Sequence, residues 1–147
     1  MMSHKHHKLE GFPIVVAAEV AWGEMDSFAH LNNVVYFRYF ENARIAYMTQ
    51  VGWFDLLKTA GVGPIVASSH CRFRRPITYP DPILIGARII TVETDRVTFE
   101  HRLVSKKWDD VAAEGQAVVV CYNYQTSAKA PLPNELRERI DALESSN

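Results

Sequence analysis

The spacing of hydrophobic positions changes along the chain, and each change marks an element. Between Phe12 and Trp22, the residues Val15, Val16, Val20 and Trp22 supply the branched and aromatic side chains that favour a strand. A polar loop, Gly23 to Leu31, follows. From Asn32 or Asn33 to about Val51 the spacing is helical: Tyr36, Phe40, Ala43, Tyr47 and Val51 share one face, widened by Phe37 and Met48. Arg38, Glu41, Asn42 and Thr49 lie opposite, with Ile45 the exception. Asn caps such a helix well, because its side-chain oxygen accepts an orphan backbone N–H. Gly52 is placed to end it, and Trp53 to Thr59 can form a short second helix before Gly61.

After Gly63-Pro64 the period becomes two. Ile65 to Phe73 reads as a strand stopped by Pro76, and Ile83 to Val92 as one apolar on both faces, hence central. Val97, Phe99, His101 and Leu103 alternate with Thr98, Glu100 and Arg102, a strand with one buried face. Lys106 to Asp110 is a turn, Val111 to Tyr124 a long last strand, and Asn134 can cap a charged helix from Glu135 to about Leu143. Short connections favour antiparallel neighbours. The economical arrangement is α+β: about five antiparallel strands wrapped round one long helix, so that each buries the other's apolar face.

Composition narrows the class. With 147 residues, 48% hydrophobic and 22% charged, the chain suits a single globular domain, expected over residues 12–145 after a flexible tail at 1–11. A net charge of −1 argues against a general nucleic-acid binder, which needs a broad excess of Lys and Arg. No apolar run is long enough for a membrane helix, and MMSHKHHKLE lacks a signal-peptide core, so a cytoplasmic location is expected. Cys71 and Cys121 sit in apolar strands without metal-type spacing and read as buried free thiols. His4, His6 and His7 lack the further ligands and rigid frame that a metal site needs. No metal or cofactor is expected.

The chemistry concentrates in Trp22 to Arg44. Asp26 and His30 occupy a loop that feeds the N-terminus of the long helix, where free N–H groups and the positive dipole end collect. Those donors suit a carbonyl oxygen that gains negative charge under attack. A carboxylate beside them can attack the carbonyl or take a proton from water. It can equally serve as an Asx-turn residue that fixes the loop. His30 either orients Asp26, contacts substrate, or bonds backbone carbonyls. At Asn32 and Asn33 capping is the default role, and the Asn33 backbone N–H is of more interest than its side chain. The densest basic cluster is Arg72, Arg74 and Arg75, either a phosphate contact or a solvated strand end. Alternation puts Arg72 and Arg74 on one face and Arg75 on the other. Ser68 and His70 are candidates for the border of an acyl pocket.

The run DSFAHLNNVVYFRYFENAR resembles the acyl-CoA thioesterases of the 4-hydroxybenzoyl-CoA thioesterase type, and the likeness continues through Gly63-Pro64-Ile65-Val66 and Arg74-Arg75-Pro76. Their fold is the hotdog, in agreement with the order of elements above. The resemblance implies Asp26 as nucleophile or general base, an oxyanion contact from the Asn33 backbone N–H, and acyl-CoA as substrate. It puts Tyr36 at the family tyrosine, and Arg74 and Arg75 near the CoA nucleotide. Some members carry the carboxylate on the long helix, which makes Glu41 the alternative base; an ion pair with Arg38 or Arg44 explains it as well. The family forms dimers with continuous sheets and also tetramers, with acyl sites at the dimer interface, so a homo-oligomer is expected. Where many relatives have a Gly-Asp turn, this chain has Tyr79-Pro80-Asp81-Pro82. A hydratase or dehydratase on the same fold, or a non-catalytic acyl-CoA binding module, are the rival readings. No His-Phe-Pro run of the dehydratase kind occurs. Acyl identity, and CoA against acyl carrier protein as carrier, stay open.

Overall fold

Asn32 starts the long helix by accepting the Val34 N–H on its side-chain oxygen at 3.0 Å. A computed structural model of the chain, which describes residues 4–146, runs this helix, α1, over Asn33–Gln50. Gly52, at φ 75°, ends it in the left-handed conformation that side chains resist. The helix α2, Trp53–Ala60, follows. Before α1 lies one strand, β1 (Ile14–Glu19); after α2 come β2 (Val62–Phe73), β3 (Pro82–Val92), β4 (Arg96–Ser105) and β5 (Asp110–Asn123). A short β6 (Ala128–Lys129) and the helix α3 (Asn134–Ser145) complete the chain.

The strands form one antiparallel sheet in the order β1-β3-β4-β5-β2, with β6 paired to the end of β5. The expected α+β hotdog arrangement is the one found. Tyr36, Phe40, Ala43, Tyr47 and Val51 of the expected helix face are all buried, and they pack on Ile83, Ile85, Phe99, Leu103 and Val119 of the sheet's inner face. Burying each such side chain is worth about 1.5–3 kcal/mol, which makes this seam the main source of stability. At the far end, Oε2 of Glu144 in α3 accepts the Ile89 N–H at 2.9 Å and the Tyr47 hydroxyl at 2.5 Å, tying the last helix to β3 and α1.

Three expectations need correction. The first strand stops at Glu19 rather than Trp22, because Trp22–Glu24 winds into a 3₁₀ turn whose Glu24 carboxylate accepts the Ala21 N–H at 2.8 Å. The last helix has Pro133 at its N-cap and includes Asn134, which therefore does not cap it. Residues 7–11 do not behave as the end of a tail. His7–Leu9 forms a 3₁₀ turn, and Leu9 and Phe12 bury themselves against Leu84, Val104 and Val111 on the outer face of the sheet. That cover explains why β3 is apolar on both faces. No helix among the described residues is long and apolar enough to cross a membrane.

Candidate active site

The loop between β1 and α1 is stitched together by Asp26. Its N–H donates to the His30 carbonyl at 2.7 Å, and its carbonyl accepts the Ala29 N–H at 3.0 Å. One carboxylate oxygen, Oδ1, accepts the N–H groups of Phe28 at 2.9 Å and His30 at 3.3 Å. The tight closure holds Ala29 at φ 63°. Asp26 is thus an Asx-turn residue through one oxygen, while Oδ2 has no hydrogen-bond partner among the described residues. The turn is pinned at both sides. Leu31 N–H donates to the Ile77 carbonyl at 2.7 Å, and Asn32 N–H to the Glu24 carbonyl at 3.0 Å.

At the start of α1 the backbone donors are used unequally. Leu31, Asn32, Val34 and Val35 each direct the N–H to an acceptor within the loop and its neighbours. The Asn33 N–H has no acceptor among the described residues. It remains an orphan donor at the positive end of an 18-residue helix.

A cleft of about 380 Å³ brings most of the candidates together: Asp26, His30, Asn33, Tyr36, Arg74 and Arg75 line it, joined by Leu31, Phe73 and Pro76. Tyr36 is 3% exposed and meets the Phe73 ring edge-on at 5.0 Å. Burial pushes its phenol up to about 12, against the opposing pull of the Ile77 backbone N–H, so the hydroxyl stays protonated at neutral pH. Arg74 pairs with Glu114 at 3.2 Å, and Arg75 with Asp110 at 3.0 Å while its guanidinium lies 4.7 Å from the Trp108 ring centre. The Val111 N–H and then Arg75 hold the Asp110 carboxyl below its ordinary range. Strand alternation had separated Arg74 from Arg75. It fails here because β2 ends at Phe73, and both arginine N–H groups then turn to one acceptor, the Ala112 carbonyl, at 2.8 and 3.1 Å.

The remaining candidates lie elsewhere. His70 borders a separate hollow with Cys71, Arg72, Glu100, Glu114 and Gln116. Ser68 is exposed on β2, next to a bulge that shifts the register between Val66 and Ser68. Glu41 lines a recess with Arg38 and Arg44, and makes no ion pair or hydrogen bond among the described residues, so the helix-surface pair expected for it does not form. His30 orients Asp26 by its backbone N–H rather than its ring. Both cysteines are free; burial pushes the Cys71 thiol up to about 11, which leaves it a poor nucleophile. Among the N-terminal histidines, the His6 ring pairs with Asp109 at 2.8 Å and stacks on His7. Among the described residues, no group of three His, Cys, Asp or Glu converges as metal ligands. Residue spacing does not announce Leu31, Phe73 and Pro76 as cleft residues; the position of Phe73 as last residue of its strand is the available signal.

A curled antiparallel sheet round one helix, with a carboxylate-bearing loop at that helix's amino end, defines a hotdog-fold domain of the thioesterase kind. The model of the Thioesterase-like superfamily matches residues 20–140, and the chain belongs to that superfamily. The resemblance read from residues 26–44 therefore holds, and the kinship is with thioester hydrolases. A thioesterase of Thermus thermophilus, solved with coenzyme A and Zn, is similar at 33% identity and a TM-score of 0.81, over 92% of this chain and 97% of that one. The long-chain acyl-CoA thioesterase FadM of Escherichia coli is 21% identical over 119 residues, 81% of this chain and 90% of FadM. Protein THEM6 of Danio rerio is 29% identical over 92 residues, 63% of this chain; the match spans only 46% of that longer protein.

Proposed function

We propose that this protein hydrolyses acyl-CoA thioesters to a carboxylic acid and free CoA. The observation that carries the reading is the meeting, in one cleft, of the Asp26 carboxylate with the unengaged Asn33 N–H. In this reading the thioester carbonyl oxygen accepts the Asn33 N–H, which stabilises the negative charge that develops there. Oδ2 of Asp26 then attacks the carbonyl carbon, expelling the CoA thiolate and leaving a mixed anhydride that water cleaves. Alternatively it takes a proton from a water that attacks the same carbon. Thiolate is a good leaving group, so no separate strong acid and no cofactor is required. Arg74 and Arg75 reach CoA phosphates by exchanging their present carboxylate partners for them. Tyr36 and Phe73 form the apolar wall, and His30 sits at the rim. Glu41 lines a different recess from Asp26 in the single chain, which favours Asp26 as the base in this reading.

The reading includes a homodimer. β2 lies at the end of the sheet order, and Ile65, Val66 and Phe73 along it are 41–46% exposed. Pairing two such edges across a two-fold axis covers both the ladder groups and these side chains, and brings Ser68 and His70 beside the second copy.

Free-thiol release from a panel of acyl-CoA and acyl carrier protein thioesters tests this, with wild type set against Asp26→Asn. Asn keeps an oxygen for the Phe28 and His30 N–H groups, so the loop survives. Turnover by wild type, with a loss of roughly 100-fold or more in the variant and retained binding, is expected. Binding without turnover in both proteins would mean an acyl-CoA sensor, and hydration of an enoyl-CoA would mean a hydratase. Either result sinks the proposal.

A further inference from the structure

Arg74 and Arg75 both line the Asp26 cleft, but the fold holds them differently. The Arg74 side chain has only its ion pair with Glu114 at 3.2 Å, and no aromatic ring lies against it among the described residues. Arg75 is held twice. Its Nε donates to Oδ2 of Asp110 at 3.0 Å, and its guanidinium lies 4.7 Å from the centre of the Trp108 ring. That ring is itself fixed. Its indole N–H donates to the Pro76 carbonyl at 2.7 Å, and the Trp108 backbone N–H donates to the Ser105 hydroxyl at 3.0 Å. The hydroxyl donates in turn to the carboxylate of Asp81, a buried residue. Trp108 is nevertheless 45% exposed, so core packing does not account for an aromatic ring at this turn.

Asp110 has two cations within reach. While Oδ2 accepts Arg75, Oδ1 accepts the Val111 N–H at 2.7 Å and lies 3.9 Å from Nζ of Lys8. Lys8 belongs to the 3₁₀ turn at the outer face of the sheet, and its backbone is pinned. The Arg102 guanidinium donates to its carbonyl at 2.8 Å, and its N–H donates to Nδ1 of His6 at 3.0 Å. Its ammonium has no partner other than Asp110 among the described residues. If Arg75 exchanges Asp110 for a phosphate, two costs arise. The freed guanidinium regains side-chain motion, and the carboxylate loses its counter-ion. A ring under the guanidinium meets the first, because a cation–π contact survives a change of hydrogen-bond partner. A second cation beside the carboxylate meets the second.

We propose that Trp108 and Lys8 are positioning residues for the phosphates of an acyl-CoA. Trp108 keeps the Arg75 guanidinium at the cleft while its partner changes, and Lys8 takes over the Asp110 carboxylate that Arg75 leaves. Both roles rest on the acyl-CoA reading and add a carrier preference to it. A pantetheine thioester presents the same reacting end without the phosphates, so it gains nothing from the exchange. Arg74, with no ring to hold it, contributes less to this preference than Arg75.

The test combines calorimetry with CoA and hydrolysis of hexanoyl-CoA against hexanoyl-pantetheine by the whole protein. Wild type should favour hexanoyl-CoA by roughly tenfold or more in kcat/KM. Trp108→Leu should weaken CoA binding and raise KM for hexanoyl-CoA by roughly fivefold or more, with kcat and hexanoyl-pantetheine hydrolysis held. Trp108→Phe, which keeps an aromatic face, should restore most of that loss. Lys8→Met should weaken CoA binding by roughly two- to fivefold, and should have no further effect beside Asp110→Asn, where no carboxylate is released. If Trp108→Leu does not fold, the NMR signal of the Trp108 indole N–H in wild type decides: it should shift saturably with CoA and stay in place with pantetheine. Several results overturn the proposal: no CoA preference in wild type, an equal loss toward both thioesters in Trp108→Leu, unchanged CoA affinity in either variant, or a Lys8→Met effect that persists beside Asp110→Asn. If the protein cleaves no thioester, the proposed function falls, and the CoA affinities and the indole signal decide the two positioning roles alone.

Discussion

The Tyr39 hydroxyl donates a 2.6 Å hydrogen bond to Oε1 of Glu24, the same oxygen that accepts the Ala21 N–H at 2.8 Å. The Glu24 carbonyl accepts the Asn32 N–H as well. One residue thereby joins the end of the first strand, the second turn of α1 and the cap that precedes Asn33. Burial, and then the carboxylate partner, raise the Tyr39 phenol well above its ordinary value. The distance between the Asp26 loop and the helix start is set by this joint.

Tyr39→Phe removes one arm of it. A hydrogen bond to a charged acceptor contributes about 1.5–3 kcal/mol, reduced here because water reaches Glu24. A loss of about 1–2 kcal/mol in urea unfolding is expected, together with a several-fold fall in kcat as the loop drifts from Asn33. An unchanged kcat in a destabilised variant would show that the joint is purely structural.

Ala29 sits at φ 63°, where a side chain costs about 1–2 kcal/mol relative to the right-handed region. Replacing it with Gly removes that strain but adds freedom to the unfolded chain. The balance should raise stability by up to about 1 kcal/mol, read as a higher urea midpoint with the same slope. Ala29→Val should lower it by at least about 1 kcal/mol, since branching is least tolerated there.

Gly115 lies on β5 opposite His101, and a methyl group there would press into the His70 carbonyl oxygen and come within 2.7 Å of the Phe40 ring. Backbone is on one side and a packed ring on the other, so neither yields cheaply. Gly115→Ala should therefore cost about 1–3 kcal/mol. Faster hydrogen exchange along the β2–β5 pairing would locate the damage, and exchange spread evenly over the sheet would contradict the account.

His101 makes stability depend on pH. Its folded value of about 3 lies below the ordinary 6.5, so between these limits the unfolded chain binds the extra proton and the folded one does not. The contribution is whole above pH 6.5 and is lost as pH falls toward 3, with a slope approaching about 1.4 kcal/mol per pH unit. Thermal melts from pH 7 to 4 should show this slope, and His101→Phe should flatten it. An identical slope in the variant would put the acid sensitivity elsewhere.

Much of this was legible in residue spacing. The helix stripe from Tyr36 to Val51 and the alternation from Val97 to Leu103 report burial directly, and His101 already stood among the inward positions. Local chemistry carried Asp26, Asn32 and Asn33, because caps and Asx turns act over two or three residues. Side-chain order failed where the backbone left its ideal path. Arg74 and Arg75 share a cleft only because both turn to Ala112, and the bulge at Val66–Ser68 shifts the register beside Ser68. Pairings between distant residues were out of reach: nothing local announces that Tyr39 meets Glu24, or that, among the described residues, Glu41 lacks its arginine and the His101 ring nitrogens lack a hydrogen-bond partner.

Leu9 and Phe12 seal a patch formed by Leu84, Val104 and Val111, so the working boundary of the domain falls near residue 7, not at residue 12. A shortened version begun at Phe12 would fold around the same helix yet carry a greasy scar on its convex side. Anyone trimming this protein for crystallisation would be manufacturing an adhesive surface and could mistake the resulting clumps for native assembly.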